Sequence, residues 1–383
     1  MNRYIDRTNN FSIALIARST LYDVPGGDTV QILQTAAHLR EMNIKATVKL
    51  THEEIDYDAY TLLHFFNITR PADILIHIQK SKTPFVVTPI LVDYSEYDKY
   101  IRGGFSGFCF RFLSRDTIEY CKTVARWLKG TDRLMSPSYL WMGQRRSIRS
   151  ILKEASYLLP NSNSEYRRVV KQYGVEAKYM IVPNGIDPAL FKAMQHIKRE
   201  ASLVICVGRI EGIKNQLNLI RALNNTRYRL FLIGAAAPNQ KGYYEQCKKE
   251  AAGNIHFIDH VPQYDLLYYY MHADIHVLPS WFETTGLSSL EAAAMGCKIV
   301  ITDKGDTRDY FGDQAFYCNP ASPDSIYKAI QAASKLKHSN KLSNKILKDY
   351  TWLEATFKTI EAYKKVTENY GATNWNLRYS WNT

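Results

Sequence analysis

Residues 279–297 read PSWFETTGLSSLEAAAMGC and place two glutamates, Glu283 and Glu291, around the start of a predicted helix. Glu283 falls in a short loop after the apolar run 275–278, and Gly286 leads into a helix-forming run. A helix start offers unpaired N–H groups and the positive end of its dipole to a phosphate. Glu291, one turn inside the helix, can accept hydrogen bonds from ribose hydroxyls. A loop carboxylate, a phosphate cradle and a second carboxylate together indicate a nucleotide-sugar site.

The two glutamates alone could be a solvated loop residue and a surface helix residue. The full string is a more specific signal of a binding site. It joins a strand end, a tight turn and a helix of small residues in one segment. Glycine in the turn allows the backbone to approach a ligand closely. We therefore predict contacts with the nucleotide sugar along the whole turn, at Thr284, Thr285, Gly286 and Leu287.

Short apolar runs alternate with helical stretches along the chain. The predicted strands are 13–17, 45–50, 60–65, 85–88, 157–160, 179–182, 203–207, 229–233, 255–258, 275–278 and 299–302. Helical stretches between them include 29–42, 163–173, 216–223 and 323–337. This alternation predicts an α/β fold with two parallel-sheet units.

A turn-rich segment, 182–187, marks the crossing between the two units. It gives a first domain of residues 1–191 and a second of 192–350, which contains the 279–297 string and which we expect to bind the nucleotide sugar. Residues 351–383 form a C-terminal helix and tail, which we expect to pack back on the first domain.

Two further loops carry residues suited to binding phosphate. Gly26 and Gly27 precede a predicted helix, where paired glycines admit an anion or a sugar ring. An ordinary turn with Asp28 as N-cap is the alternative there. Arg209 follows a strand end and Lys214 opens the next helix, so both cations would face one cleft. Such a pair can neutralise a departing diphosphate without a metal.

These segments resemble the family 4 retaining glycosyltransferases, which have the GT-B fold of two Rossmann-like domains facing a cleft. The likeness extends over nearly the whole chain: the Gly-Gly loop, NSNSE at 161–165, VPNGID at 182–187, GRIEGIK at 208–214, HVP at 260–262 and the 279–297 string.

The resemblance implies a role for each motif residue. Arg209 and Lys214 would grip the donor diphosphate, and Glu283 would contact the donor sugar. The first domain would bind the acceptor, and the Gly-Gly pair would lie beside the diphosphate and the acceptor. Backbone contacts to the nucleotide are implied at three further loop positions, Gly208, Gly234 and Val261.

The chain departs from the family pattern at two places. Many members have a phenylalanine where Thr285 stands. Members often place a histidine after a strand of the first domain, near the C6 hydroxyl of the sugar, whereas strand 85–88 is followed here by Pro89 and Ile90. His64, on the preceding strand, is the candidate catalytic substitute. A structural hydrogen-bonding role is the alternative for it.

The resemblance implies a retaining, metal-independent hexosyltransferase that uses a UDP- or GDP-linked sugar as donor and needs no cofactor. The acidic run 56–58 reads as a solvated surface rather than a metal site. Two other classes stay open. One is a glycogen-synthase-like or phosphorylase-like enzyme of the same fold, and the other is a non-catalytic nucleotide-sugar-binding module.

Length and composition fit this reading. The 383 residues suit two domains of about 150–200 residues each, and 46% apolar residues can fill two cores. Six cysteines are scattered without metal-binding spacing, which indicates reduced core residues of a cytosolic protein. The apolar run 13–17 is too short for a signal peptide. We expect a cytoplasmic protein, either soluble or peripheral at the inner face of the cell membrane.

The net charge of +12 is concentrated in the first domain, where residues 99–154 contain twelve Lys or Arg against four Asp or Glu. Aromatic residues are interleaved there: Phe105, Phe108, Phe110, Phe112, Trp127, Tyr139 and Trp141. Such a region suits an anionic membrane or a lipid-diphosphate-linked glycan, and without a nucleic-acid motif no nucleic-acid partner is expected. It favours a lipid-linked acceptor in bacterial surface polysaccharide biosynthesis (capsule, O-antigen or exopolysaccharide). A solvated basic face with core aromatics is the alternative.

Overall fold

Two parallel sheets covered by helices form the frame of the chain. The computed structural model describes residues 11–100, 113–130, 133–192, 198–238 and 240–369. The strand pairings in both sheets are parallel. The predicted α/β fold with two parallel-sheet units is therefore confirmed.

The first sheet is built from β1 (Ser12–Ala17), β2 (Lys45–Leu50), β3 (Leu62–Phe66), β4 (Phe85–Thr88) and β5 (Tyr157–Leu158). Its helices are α1 (Gly27–Glu41), α2 (Pro71–Ile78), α3 (Ser95–Tyr100), α4 (Arg115–Leu128), α5 (Ser138–Glu154) and α6 (Asn163–Tyr173), with a 3-10 turn at Tyr57–Ala59. The strand order is β2-β1-β3-β4-β5. Every residue of β1, β3 and β4 is buried, as expected for strands covered by helices on both faces.

The second sheet is built from β6 (Glu200–Val207), β7 (Arg229–Ile233), β8 (Ile255–Ile258), β9 (Ala273–Leu278), β10 (Lys298–Thr302) and β11 (Phe316–Cys318). Its helices are α7 (Gln216–Leu223), α8 (Lys241–Glu250), α9 (Gln263–His272), α10 (Leu287–Ala294), α11 (Thr307–Phe311), α12 (Pro323–Lys335) and α13 (Lys341–Asp349), with a 3-10 turn at Gly212–Lys214. The strand order is β11-β10-β9-β6-β7-β8.

This strand order positions the two strongest motifs. The direction of winding reverses between β6 and β9, the neighbouring strands at the centre of the sheet. Open parallel sheets bind ligands in the crevice beyond the carboxyl ends of the strands at such a reversal. The segment 208–214 follows β6 and the segment 279–286 follows β9, so both motifs border that crevice.

The C-terminal helix α14 (Trp352–Asn369) returns to the first sheet. Trp352 and Tyr363 belong to the same buried apolar cluster as β1 and α1. The chain crosses between the units at two adjacent segments, since Ile186 forms a parallel bridge with Thr351. A Cβ atom on Gly185 would lie 2.2 Å from the carbonyl carbon of Thr351, which is why a glycine is needed at this crossing. The exact domain boundaries stay a prediction.

The structure corrects three details of the predicted elements. Residues 179–182 form no strand, and Tyr179 makes an isolated bridge with Leu158 instead. The short strand β11 was not predicted. Helix α1 begins at Gly27, two residues earlier than predicted, with Gly26 as its N-cap. Asp28 is therefore not the N-cap, and its carboxylate accepts a 2.7 Å hydrogen bond from Arg18 Nε.

The cysteines described by the structure are free thiols. Four of them are buried, as predicted: Cys206, Cys247, Cys297 and Cys318. Cys121 is exposed on α4, contrary to the prediction of a core residue. Cys109 lies outside the described residues.

Candidate functional site

Glu283 lies in the loop between β9 and α10, and its carboxylate has a defined position. Its Oε1 accepts hydrogen bonds from Lys214 Nζ and Ser280 Oγ, each at 2.6 Å. Its main chain is held by a neighbouring segment, because the N–H donates to Lys304 O at 3.3 Å and the carbonyl accepts from Asp306 N at 2.9 Å. With its side chain 7% exposed, Glu283 is a buried carboxylate at the edge of the crevice.

Lys214 is held in its charged form by this carboxylate. Burial lowers the pKa of the Lys214 ammonium, but the adjacent Glu283 carboxylate outweighs burial and leaves the pKa above its ordinary value. The main chain supports the contact, since Trp281 N donates to Ile213 O at 2.8 Å. The loops after β6 and β9 are therefore joined at the base of the site.

Arg209 brings the second unit against the Gly-Gly loop of the first. Its guanidinium donates to Glu211 Oε1 at 3.1 Å and to Pro25 O at 3.4 Å. A Cβ atom on Gly26 would lie 3.9 Å from Arg209 Nη2. The side chain is 40% exposed, so the guanidinium can meet an anion that enters the crevice. The structure thus brings together the two motifs to which we assigned diphosphate contacts.

The start of α10 completes this edge of the crevice. Gly286 is its N-cap with a φ of 73°, in the left-handed region. A Cβ atom there would lie 3.2 Å from Leu278 Cδ2 and from Ile301 Cδ1, so conformation and space both favour glycine. Leu287 Cδ1 lies 3.9 Å from the Cβ position of Gly27. The helix start, with its free N–H groups, therefore faces the glycine loop of the first unit.

Glu291 lies on α10 and is oriented by two donors. Its carboxylate accepts hydrogen bonds from Tyr270 OH at 2.8 Å and from Gln263 Nε2 at 3.1 Å. Burial raises the pKa of Glu291 to about 7, and these two donors lower it in part. Each carboxylate oxygen makes one of these bonds and keeps further capacity to accept from a hydroxyl group.

The other loop residues that were predicted to contact the donor lie in surroundings that differ from one to the next. Gly208 and Gly234 have φ values of 150° and 144°, and a Cβ atom on Gly234 would lie 2.3 Å from Gly208 O. The ends of β6 and β7 therefore meet backbone to backbone beside the crevice. Val261 follows β8 and is partly buried against the core of the second unit. Thr284 is half-buried in the Glu283 loop.

The Thr285 side chain makes its hydrogen bonds inside the protein. It is 1% exposed, its hydroxyl donates to Tyr310 OH at 3.1 Å, and it accepts from Asn184 Nδ2 at 3.0 Å. A donor contact at Thr285 would therefore have to use the backbone. Asn184 belongs to the VPNGID segment, so this cluster also links the crossing point to the Glu283 loop.

The surroundings of His64 favour its structural alternative over the catalytic role predicted for it. His64 is 2% exposed, and both ring nitrogens are engaged, Nδ1 with Tyr363 OH at 2.7 Å and Nε2 with Thr88 Oγ1 at 2.8 Å. Burial lowers the pKa of His64 to about 3, so the ring is neutral at physiological pH. His64 joins β3 to α14 and to β4, which is the structural alternative considered above.

Sequence reasoning missed the residues of α3 that reach the second unit. A Cβ atom on Gly212 would lie 2.4 Å from Tyr97 OH, so Tyr97 packs against the turn that carries Lys214. Glu96 Oε1 lies 2.9 Å from Lys304 Nζ. The signal that could have found them is position, because α3 follows the carboxyl end of β4, at the edge where ligands bind in parallel sheets.

The basic aromatic region of the first unit is only partly as predicted. Trp127 and Trp141 are 42% and 76% exposed, and Leu128, beside Trp127, is 73% exposed. Tyr139 is a fully buried core residue instead. The four phenylalanines of this region, Phe105, Phe108, Phe110 and Phe112, lie outside the described residues. Within the part of the chain that the structure describes, no helix has the length and apolarity to cross a membrane.

Solved structures share this architecture. Sucrose-phosphate synthase from Thermosynechococcus elongatus aligns with a TM-score of 0.70 at 14% identity, covering 94% of this chain and 100% of that one. Anabaena Alr3699/HepE in complex with UDP and glucose aligns with a TM-score of 0.61 at 14% identity, with coverage of 94% and 100%. Two Rossmann-like units that face a crevice define the GT-B class of glycosyltransferases.

The sequence comparisons identify the family. The family described as Glycosyl transferases group 1 matches residues 190–349, which contain the second sheet and the segments 208–214 and 279–297. The chain is also 24% identical over 318 residues to N-acetylgalactosamine-N,N'-diacetylbacillosaminyl-diphospho-undecaprenol 4-alpha-N-acetylgalactosaminyltransferase of Campylobacter jejuni, with 77% of this chain and 83% of that protein covered. The second unit therefore matches the group 1 glycosyltransferases, and the resemblance to family 4 is confirmed.

Proposed function

We propose that the protein is a retaining, metal-independent hexosyltransferase that moves a sugar from a nucleoside diphosphate sugar to a lipid-linked glycan. The observation that carries this proposal is the 2.6 Å contact between Lys214 Nζ and Glu283 Oε1. It sets a cation suited to the diphosphate beside a carboxylate suited to the sugar. The two meet at the winding reversal of the second sheet, opposite the Gly-Gly loop.

Each part of the donor then has a partner in the crevice. Arg209, Lys214 and the start of α10 would bind the diphosphate, whose negative charge grows as the bond to the sugar breaks. Glu291 would accept hydrogen bonds from the ribose hydroxyls. Glu283 would bind the sugar hydroxyls and, by holding Lys214, keep the ammonium directed at the leaving group.

The transfer itself needs no separate base. An oxygen of the acceptor hydroxyl attacks the anomeric carbon on the face from which the diphosphate departs, so the anomeric configuration is retained. The bond from the anomeric carbon to the phosphate oxygen breaks, and the hydroxyl proton passes to the departing phosphate. The crevice between the units excludes water that would otherwise hydrolyse the donor.

The identities of donor and acceptor are drawn from relatives. The Anabaena structure holds UDP and glucose, which supports a UDP-linked donor ahead of a GDP-linked one. The Campylobacter relative acts on an undecaprenol-diphosphate-linked saccharide, which supports a lipid-linked acceptor and bacterial surface polysaccharide biosynthesis. Sucrose-phosphate synthase shares the fold, so the fold by itself also suits the alternative, a glycogen-synthase-like or phosphorylase-like enzyme.

The donor site is tested by titrating UDP and GDP into the protein and following its melting temperature. A ligand that binds the folded state raises the melting temperature, and we expect one nucleotide to do so. Arg209→Ala should abolish most of the shift, because the guanidinium would neutralise the diphosphate. Arg229→Ala is the matched control, since Arg229 begins β7 at the opposite edge of the same sheet and pairs with Glu200. A shift for neither nucleotide, or an equal shift in both variants, would contradict the donor site.

A lipid-linked acceptor would bring the enzyme to the inner face of the cell membrane. We expect sedimentation with vesicles that contain phosphatidylglycerol and little with pure phosphatidylcholine, because Trp127 and Trp141 are exposed in a basic region. Replacing both tryptophans by serine should lower the bound fraction several-fold. Tyr264→Ser, 75% exposed on the second unit, should leave it unchanged. Equal binding by all three proteins would argue against this surface.

A further inference from the structure

The loop that carries Glu283 is held in place by a second segment, residues 304–306, which we call the brace. Glu283 and Gly305 form a parallel bridge. A Cβ atom on Gly305 would lie 2.0 Å from Glu283 O, so the two backbones are in direct contact. The position of the Glu283 main chain therefore follows the position of the brace.

The brace is in turn bound by the first unit. The carboxylate of Asp306 is fully buried and accepts two hydrogen bonds from the Arg168 guanidinium, at 2.6 and 2.9 Å. Ser164 Oγ donates to the same carboxylate at 2.8 Å. Arg168 and Ser164 both lie on α6 of the first unit, whereas the brace belongs to the second unit. A bidentate guanidinium–carboxylate pair fixes direction as well as distance.

Arg168 also contacts the Glu283 loop directly. Its guanidinium lies 4.9 Å from the ring centroid of Phe282, the residue that precedes Glu283. It also donates to Leu91 O at 3.0 Å, which anchors it to the loop after β4. The Arg168 guanidinium therefore joins the first unit both to the brace and to the Glu283 loop.

The charges at this junction make Arg168 hard to replace. Burial lowers the pKa of Arg168, but Asp306 outweighs burial and leaves the pKa above its ordinary value. Glu165, on the same helix and fully buried, accepts from Leu91 N at 2.7 Å and from Asn161 N at 2.6 Å. Removal of one partner from a buried ion pair leaves the other charge uncompensated, which is costly.

We infer that Arg168 is a positioning residue for the transfer reaction. Through Asp306 and Phe282 it sets the place of the Glu283 carboxylate, so the orientation of the first unit is transmitted to the group that binds the donor sugar. The inference rests on the proposed function for the role of Glu283. The geometric claim, that Arg168 determines where Glu283 lies, stands independently of that function.

The test uses Arg168→Lys, which keeps a positive charge but loses the planar, bidentate guanidinium. A misplacement of about 1 Å can lower turnover by about 10²-fold. We therefore expect kcat to fall by at least about tenfold with the donor KM changed by less than about threefold. UDP affinity should stay equal to or above that of the unchanged protein, since Arg209 and Lys214 both keep their charges.

Two controls separate positioning from a general loss of structure. Arg167→Lys changes the neighbouring arginine, which is exposed and donates to Asn163 O on its own helix. Asp324→Asn removes an exposed ion pair of the second unit, that with Lys328 on α12. Both should keep kcat within about twofold. A parallel fall of kcat, UDP affinity and melting temperature in Arg168→Lys would show a merely structural role and overturn the inference.

A crystal structure of Arg168→Lys decides the geometric claim even if no donor is turned over. We expect Glu283 Oε1 to move out of hydrogen-bond distance of Lys214 Nζ. A retained 2.6 Å contact would refute the inference. Absence of turnover in the unchanged protein with every nucleotide sugar would instead refute the proposed function and leave this crystallographic result to be judged separately.

Discussion

Replacement of Glu283 by glutamine is expected to lower turnover by about 10²–10³-fold, the range found when one preorganised electrostatic contact to a transition state is removed. Glutamine keeps the size of the side chain but loses the charge that holds Lys214 at 2.6 Å. The ammonium would then be free to turn away from the leaving diphosphate as the bond to the sugar breaks.

Binding of UDP should respond differently from turnover. In Glu283→Gln, Lys214 is released from its carboxylate partner. The affinity of this variant for UDP should therefore be equal to or greater than that of the unchanged protein. Initial rates with a UDP-linked sugar and calorimetry with UDP measure the two quantities. Glu245→Gln, the same substitution at an exposed pair with Lys248 on α8, is the control. Turnover within about fivefold of the unchanged protein would exclude Glu283 from the reaction.

The second sheet and its crevice could be predicted well from sequence, for a physical reason. Buried parallel strands read as short apolar runs, and glycines with positive φ mark the loops that follow them, as at Gly208, Gly234 and Gly286. These signals are local, so a single sequence carries them. The predicted strands 229–233 and 255–258 agree with β7 and β8 at both ends.

The surroundings of His64 could not be predicted in this way. Its partner Tyr363 lies 299 positions later in the chain, on a helix that returns to the first unit. A histidine on an apolar strand has the same local sequence whether it faces a crevice or a packed helix. The same holds for Thr285, whose hydroxyl is engaged by Asn184 and Tyr310. Contacts between distant segments decide both cases.

The residues of the first unit that reach the site were missed for a related reason. Glu96, Tyr97 and Arg168 lie inside helices, and no glycine-rich loop beside them marks them as site residues. Their contacts with the second unit depend on how the two units face each other. A fold resemblance implies a crevice between the units, but the side chains that line its first-unit edge differ from one member of a fold to the next.

Replacement of Gly305 by alanine is expected to destabilise the protein strongly, because two independent penalties coincide there. Gly305 has a φ of 94°, a conformation that costs an L-residue about 1–3 kcal/mol. The new Cβ would also lie 2.0 Å from Glu283 O, and relief of such overlap by shifting backbone costs about 1–3 kcal/mol more. Urea unfolding followed by circular dichroism measures the sum.

Gly242→Ala is the matched control for this substitution. Gly242 lies in α8 with nothing within 4 Å of its Cβ position, so alanine there should stabilise the protein by about 0.5–1 kcal/mol. The two glycine-to-alanine changes should therefore move the free energy of unfolding in opposite directions. Folded Gly305→Ala protein should also lose turnover, since the brace can accept the methyl group only by moving away from Glu283. If Gly305→Ala were as stable and active as the unchanged protein, the brace would not fix Glu283, and the positioning role of Arg168 would fall with it.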